Sequence, residues 1–134
     1  LPVRVRDSLV LMMDVLEQLP KAFSVVSGDD NMTLALMALG GRGVISVVSN
    51  LIPMKVSDLC AAAAKGDFAT ARKLHFEMLP LFKAAFIETN PIPIKAAMGM
   101  AGMAAGPVRM PLCEMQPANL EKLKVVLQKM GLVK

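Results

Sequence analysis

Two short segments constrain the fold of this chain more than any others. Phe23-Ser24-Val25-Val26-Ser27 runs into Gly28-Asp29-Asp30-Asn31, and Gly43-Val44-Ile45-Ser46-Val47-Val48 runs into Ser49-Asn50. Each is a β-branched, mostly apolar run that ends in small polar residues and leads into a helical pattern. That is the strand–turn–helix unit of a parallel sheet buried on both faces. No other stretch reads as a strand. Two parallel strands do not make a stable sheet alone, so the pattern implies part of something larger.

Composition points the same way. The 134 residues are 54% hydrophobic and 19% charged, with no Trp or Tyr, and the mean hydropathy is +0.52. Such a chain suits burial against partners as well as against itself, and a very apolar helical domain is the plainer alternative. The net charge of +4 comes from scattered basic residues, with no basic run interleaved with aromatics, so nucleic-acid binding has little support. Lys122 and Lys124 fit the solvated face of a short amphipathic helix. Cys60 and Cys113 are far apart in the sequence, which fits free thiols in a reducing compartment better than a disulfide framework. No segment reaches the about 20 apolar residues needed to span a bilayer. Arg4 and Arg6 are followed at once by Asp7, which is not a signal-peptide layout, and the cytoplasm is the expected location.

Helices fill the remainder. Asp7 or Ser8 can cap a helix carrying Leu9, Met12, Met13, Leu16 and Leu19 at helical spacing, stopped by Pro20. A short helix over Met32–Leu39 is ended by Gly40 and Gly41. Pro53 suits a first helical turn and Gly66 a helix end. Asp67 caps a helix that extends toward Ile87 with Pro80 in its interior, where a kink is expected. Asn90-Pro91-Ile92-Pro93 forces an extended or turn backbone before a helix from about Ile94. The last helix covers Ala118–Met130, closed by Gly131.

In a parallel α/β protein, chemistry sits on the loops at the carboxyl ends of the strands. This puts Ser27-Gly28-Asp29-Asp30 and Ser49-Asn50 where a substrate would lie. Gly28 allows close backbone approach, and Asp29 and Asp30 could orient a ligand or cap the following helix. Two adjacent carboxylates do not face each other as an acid/base pair. His75 is the only histidine and has no second ligand at metal spacing, so a structural role is expected and no metal site. Met98, Met100, Met103, Met110 and Met115 are read as gap-filling core residues in preference to soft-metal ligands. Neither cysteine lies in a context that marks a reactive thiolate. The glycines Gly40, Gly41 and Gly43 precede a strand and do not form a phosphate loop.

Three motifs together resemble one family: Val26-Ser27-Gly28-Asp29-Asp30, Leu39-Gly40-Gly41-Arg42-Gly43-Val44-Ile45-Ser46-Val47, and Asn90-Pro91-Ile92-Pro93-Ile94-Lys95. Their order and spacing are similar to those of the dihydrodipicolinate synthases, in the pyruvate-dependent class I aldolase superfamily with N-acetylneuraminate lyase. The resemblance runs from about Ser8 to the C-terminus. It implies an α/β chain that is the C-terminal portion of a (β/α)8 barrel. Residues 1–66 then hold the last part of the barrel, with strands seven and eight, and residues 67–134 hold a C-terminal helical domain.

The implied activity belongs to lysine (diaminopimelate) biosynthesis, a condensation of pyruvate with aspartate semialdehyde through a lysine Schiff base, without a cofactor. The resemblance gives Gly28 and the Ile45 carbonyl to the substrate side and leaves Asp29, Asp30 and Asn90 as loop support. Leu9 and Leu39 fall where the family builds part of a homotetramer contact. Counting back from the helix at Ser8 puts Val3 at the imine lysine, and no lysine occurs before Lys21. Valine cannot form an imine, so these residues alone are expected to be inactive without the N-terminal half of the barrel. Isolated, they are expected to aggregate or stay molten. Another pyruvate-dependent aldolase or lyase, or a non-catalytic assembly module, are the alternative readings.

Overall fold

In a computed structural model of the chain, residues 2–5, 8–20 and 22–134 are described, residues 2–5 by their backbone alone. The N-terminal stretch corrects the strand count. Pro2–Val5 form strand β1, which pairs in parallel with strand β2, Ser24–Ser27, in register from Pro2↔Ser24 to Val5↔Ser27. Val3 and Val5 alternate with Arg4, a period-two signal too short to stand out in sequence. The chain therefore supplies three neighbouring strand positions where two were expected.

The second expected strand is shorter than its composition suggests. Val44 makes one isolated parallel bridge to Ser27. Ser27 N–H donates to the Gly43 carbonyl at 2.8 Å, and Ile45 N–H donates to the Ser27 carbonyl at 2.9 Å. Pairing stops there, and Val48–Asn50 form a 3-10 turn. The reason is competition for donors. The Val47 and Val48 N–H groups are taken by the Asp30 carboxylate, and Ser49 N–H by the Ser46 hydroxyl. A side-chain acceptor thus takes the Val47 and Val48 N–H groups that a strand would commit to its ladder.

Helix α1 covers Leu9–Gln18, and Ser8 is its cap, with Leu11 N–H donating to Ser8 Oγ at 3.3 Å. Asp7, the other expected cap, lies outside the described residues. Met12 on this helix is fully buried and packs with Val25 of β2 and Leu36. Val15, Leu16, Leu19 and Met32 close around them. Leu36 belongs to α2, Thr33–Ala38, which is preceded by a 3-10 turn at Asp30–Met32. Gly40, at φ +106°, leaves α2 through a backbone region that other residues seldom adopt.

Helix α3 covers Pro53–Ala64 with Pro53 in its first turn, and α4 covers Phe68–Ala84. Asp67 caps α4, its carboxylate accepting from Thr70 N–H at 3.0 Å. The helix runs through Pro80 unbroken and ends short of the expected Ile87. A second core joins Met37, Ala63 and Ala71, with Leu34 and Cys60 against it. The chain forms two compact units, Leu1–Glu77 and Met78–Lys134.

In the second unit, α5 (Ile92–Met100) packs on α6 (Pro117–Lys129). Glu88 Oε1 accepts from Gln116 N–H at 3.0 Å and from Asn119 Nδ2 at 2.9 Å, fixing the start of α6. Lys95 Nζ donates to the Ala105 carbonyl, which pins the connection between the two helices.

Candidate functional site at the strand ends

The carboxyl end of β2 gathers most of the residues singled out from sequence. Ser27, fully buried, is the hub. Its backbone holds Gly43 and Ile45, while its hydroxyl donates to the Asp29 carbonyl at 2.7 Å and accepts from Asp29 N–H at 3.1 Å. This side-chain turn folds Gly28 sharply at the strand end, where Gly28 is buried. Ile45 lies on the adjacent segment and is 51% exposed. Its N–H is spent on Ser27, and among the described residues no hydrogen bond reaches its carbonyl. Gly28 and Ile45 are therefore neighbours through one residue.

The two aspartates separate in role. Neither side chain caps the 3-10 turn and helix that follow, contrary to the capping expectation. Asp29 contributes its backbone, its carbonyl also accepting from Thr33 Oγ1 at 3.2 Å. Asp30 is 2% exposed, and its Oδ2 accepts from Val47 N–H at 2.9 Å and Val48 N–H at 3.3 Å. It caps the later turn. Ser46, which sequence reasoning left without a role, accepts Ser49 N–H at 2.9 Å. Asn50 spends its Nδ2 on the Val47 carbonyl at 2.9 Å. Asn90 lies in the second unit and is exposed, beside a cis peptide to Pro91.

Burial pushes the Asp30 carboxyl above its ordinary value; the Ser46 hydroxyl and the Val47 and Val48 N–H groups pull the other way, and the Asp29 charge adds to the rise. A folded carboxyl that holds its proton more tightly than the unfolded one contributes most below the unfolded pKa of about 3.9. That contribution is lost as pH rises through the higher folded value. Asp30→Asn carries no such titration. Its stability relative to the wild type should improve from about pH 4 towards neutrality, read by urea unfolding across that range. A flat difference would contradict the burial of this charge.

Burial, and secondarily the Asp30 charge, raise the Cys60 thiol, whereas Cys113 is exposed. Under mildly alkaline conditions Cys113 should alkylate at least about tenfold faster than Cys60, measured by peptide mass spectrometry. Equal rates would mean that Cys60 is not shielded. His75 is pushed down by burial and its ring meets Phe76 edge-on at 5.4 Å between centroids. Among the described residues no group of His, Cys, Asp and Glu is arranged to hold a metal ion, and no helix is long and apolar enough to cross a membrane. A surface cavity of about 230 Å³ opens in the second unit beside Lys95, Glu114 and Met115, and it contains none of the strand-end residues.

Parallel strands with their candidate residues on the following loops, then helices alone, define the C-terminal portion of a (β/α)8 barrel followed in the chain by a helical region. Residues 4–130 match the model of the dihydrodipicolinate synthetase family. The chain belongs to that family. It is 49% identical over 120 residues to the 4-hydroxy-tetrahydrodipicolinate synthase of Hydrogenobaculum sp., covering 90% of this chain and 41% of that protein. The crystal structure of dihydrodipicolinate synthase from Aquifex aeolicus superposes with a TM-score of 0.91 at 47% identity, over 95% of this chain and 43% of that one. The Acinetobacter baumannii synthase, crystallised with pyruvate, gives 0.87 at 32% identity over 94% of this chain and 43% of that one. The chain thus spans less than half the length of these relatives.

Proposed function

We propose that these residues form the closing part of a dihydrodipicolinate synthase, which condenses pyruvate with aspartate semialdehyde in lysine biosynthesis. The observation that carries the reading is the joining of Gly28 and Ile45 through Ser27 at the strand ends. The family match and the pyruvate complex of a relative support it. In the reaction a lysine amine attacks the keto carbon of pyruvate and water leaves. The resulting iminium loses a proton to give an enamine, and this attacks the aldehyde carbon. The position of the imine lysine falls on Val3 in this reading and residues 1–20 contain no lysine, so these residues do not themselves supply the amine.

This chain supplies wall and polarity. The Ile45 carbonyl directs its negative end at bound pyruvate, where it stabilises the positive charge of the iminium. Gly28 keeps that wall free of a side chain, while Asp29, Asp30 and Asn90 support the loops. Residues 1–66 belong to the barrel and 67–134 to the helical domain. Leu9 and Leu39, 37% and 45% exposed, take part in a homotetramer contact. The protein works in the cytoplasm.

The test is a completed barrel, in which residues 8–134 follow the upstream part of the Aquifex aeolicus relative through its sixth strand. Borohydride with pyruvate should add a reduced pyruvyl group to it, and aspartate semialdehyde should be consumed. A folded completed barrel that gains no mass would sink the proposal. Trapping without turnover of the semialdehyde would favour another pyruvate-dependent aldolase.

A further inference from the structure

We infer that Asp30 is the positioning residue of this site, holding the Val47 and Val48 amides so that the Ile45 carbonyl is fixed from both sides. The inference rests on the reading that this carbonyl faces pyruvate. The Ile45 carbonyl belongs to the peptide linking Ile45 to Ser46. The peptide before it is anchored by Ile45 N–H on Ser27, and the peptide after it by Val47 N–H on Asp30 Oδ2 at 2.9 Å. Val48 N–H adds a second bond to the same oxygen at 3.3 Å. The Ile45–Ser46 peptide, whose carbonyl accepts no hydrogen bond among the described residues, thus lies between two peptides whose N–H groups are held.

The geometry is costly for a mere loop cap. Asp30 is almost wholly buried, and its Oδ1 has no donor in hydrogen-bonding geometry among the described residues. A neutral Asn or Ser would serve a 3-10 turn with less desolvation. A carboxylate taking two N–H groups on one oxygen makes stronger, charge-assisted bonds and restrains the backbone more tightly. The bonds also reach across 17 and 18 residues, tying the loop after β2 to the segment that carries Ile45. Asp30 touches no reacting atom in this arrangement; it acts through Ile45.

The test compares wild type, Asp30→Ala and Asp30→Asn in the completed barrel, by amide hydrogen exchange and by pyruvate kinetics. Asp30→Ala should speed exchange at Val47 and Val48 at least about tenfold while α3 and α6 stay protected. It should raise the KM for pyruvate about tenfold, with a smaller fall in kcat. Asp30→Asn, which keeps an acceptor oxygen, should recover most of both. Unchanged exchange in Asp30→Ala overturns the inference, and so does lost protection with an unmoved KM. Should Asp30→Ala not fold, wild-type Val47 and Val48 amides exchanging as fast as exposed ones overturn it equally. A wild-type completed barrel that traps no pyruvate overturns the functional reading and this inference with it. Trapping with Asp30→Ala indistinguishable from wild type overturns the inference alone.

Discussion

A completed barrel whose sixth strand comes from residues 1–7 of this chain is expected to trap no pyruvate, while one that keeps the relative's own sixth strand traps it. The two proteins share residues 8–134, so they share Gly28, Ile45 and the Asp30 clamp. They differ in whether an amine stands on β1. Pro2–Val5 reads Pro-Val-Arg-Val, so no shift of register brings a lysine into the strand. The strand's one nitrogen-bearing side chain type is arginine, and a guanidinium is no imine-forming amine at neutral pH. Loss of the covalent nucleophile should lower condensation by at least about 10³-fold, with the remainder coming from binding and polar contacts. Intact mass after borohydride reduction separates the two proteins directly. Equal mass gain would mean that an amine elsewhere in residues 8–134 forms the imine, and Lys21 would be the first to replace.

The same strand shows where sequence was readable and where it was not. Helices announce themselves through neighbours. Ser8 before α1, Pro53 opening α3, Asp67 before α4 and Gly131 after α6 are each adjacent to what they start or stop. The loop motif at Gly28 was equally legible, because a strand followed by Ser-Gly-Asp-Asp is a local pattern. β1 was not, since four residues with a single alternation carry little signal. Its strand character comes from pairing with β2. Val47 and Val48 misled in the opposite direction. Their β-branched side chains favour a strand, but the acceptor that captures their N–H groups sits 17 and 18 residues earlier. The choice between a cap for the next helix and a clamp on a distant loop depends on that approach, which no local window contains.

The second large effect concerns the core beneath the site. Leu36→Ala is expected to cost about 2–5 kcal/mol, a large share of the about 5–15 kcal/mol that holds a typical domain together. Leu36 is fully buried between Met12 of α1 and Val25 of β2, so truncation opens a cavity that three elements must close. Gly41 shows how tightly that side chain is enclosed. A Cβ at position 41 would lie 2.4 Å from Leu36 Cγ and 3.0 Å from the Leu36 carbonyl oxygen, while Gly41 N–H donates to that same carbonyl at 2.9 Å. Gly41→Ala should therefore overpack the site, at about 1–3 kcal/mol. Denaturant unfolding of the completed barrel measures both, and the double variant measures their coupling. With Leu36 shortened, the clash with its side chain disappears and the carbonyl contact remains. The double variant should then be less damaged than the sum of the singles by more than about 0.5 kcal/mol. Strict additivity would place the two residues in separate environments, against the packing described. The consequence reaches the loop, because Arg42 N–H donates to the Val25 carbonyl at 2.8 Å and Gly43 follows directly. A core that lets Val25 shift also shifts the bridge that presents Ile45, so pyruvate affinity should fall in Leu36→Ala even under conditions where the protein remains folded.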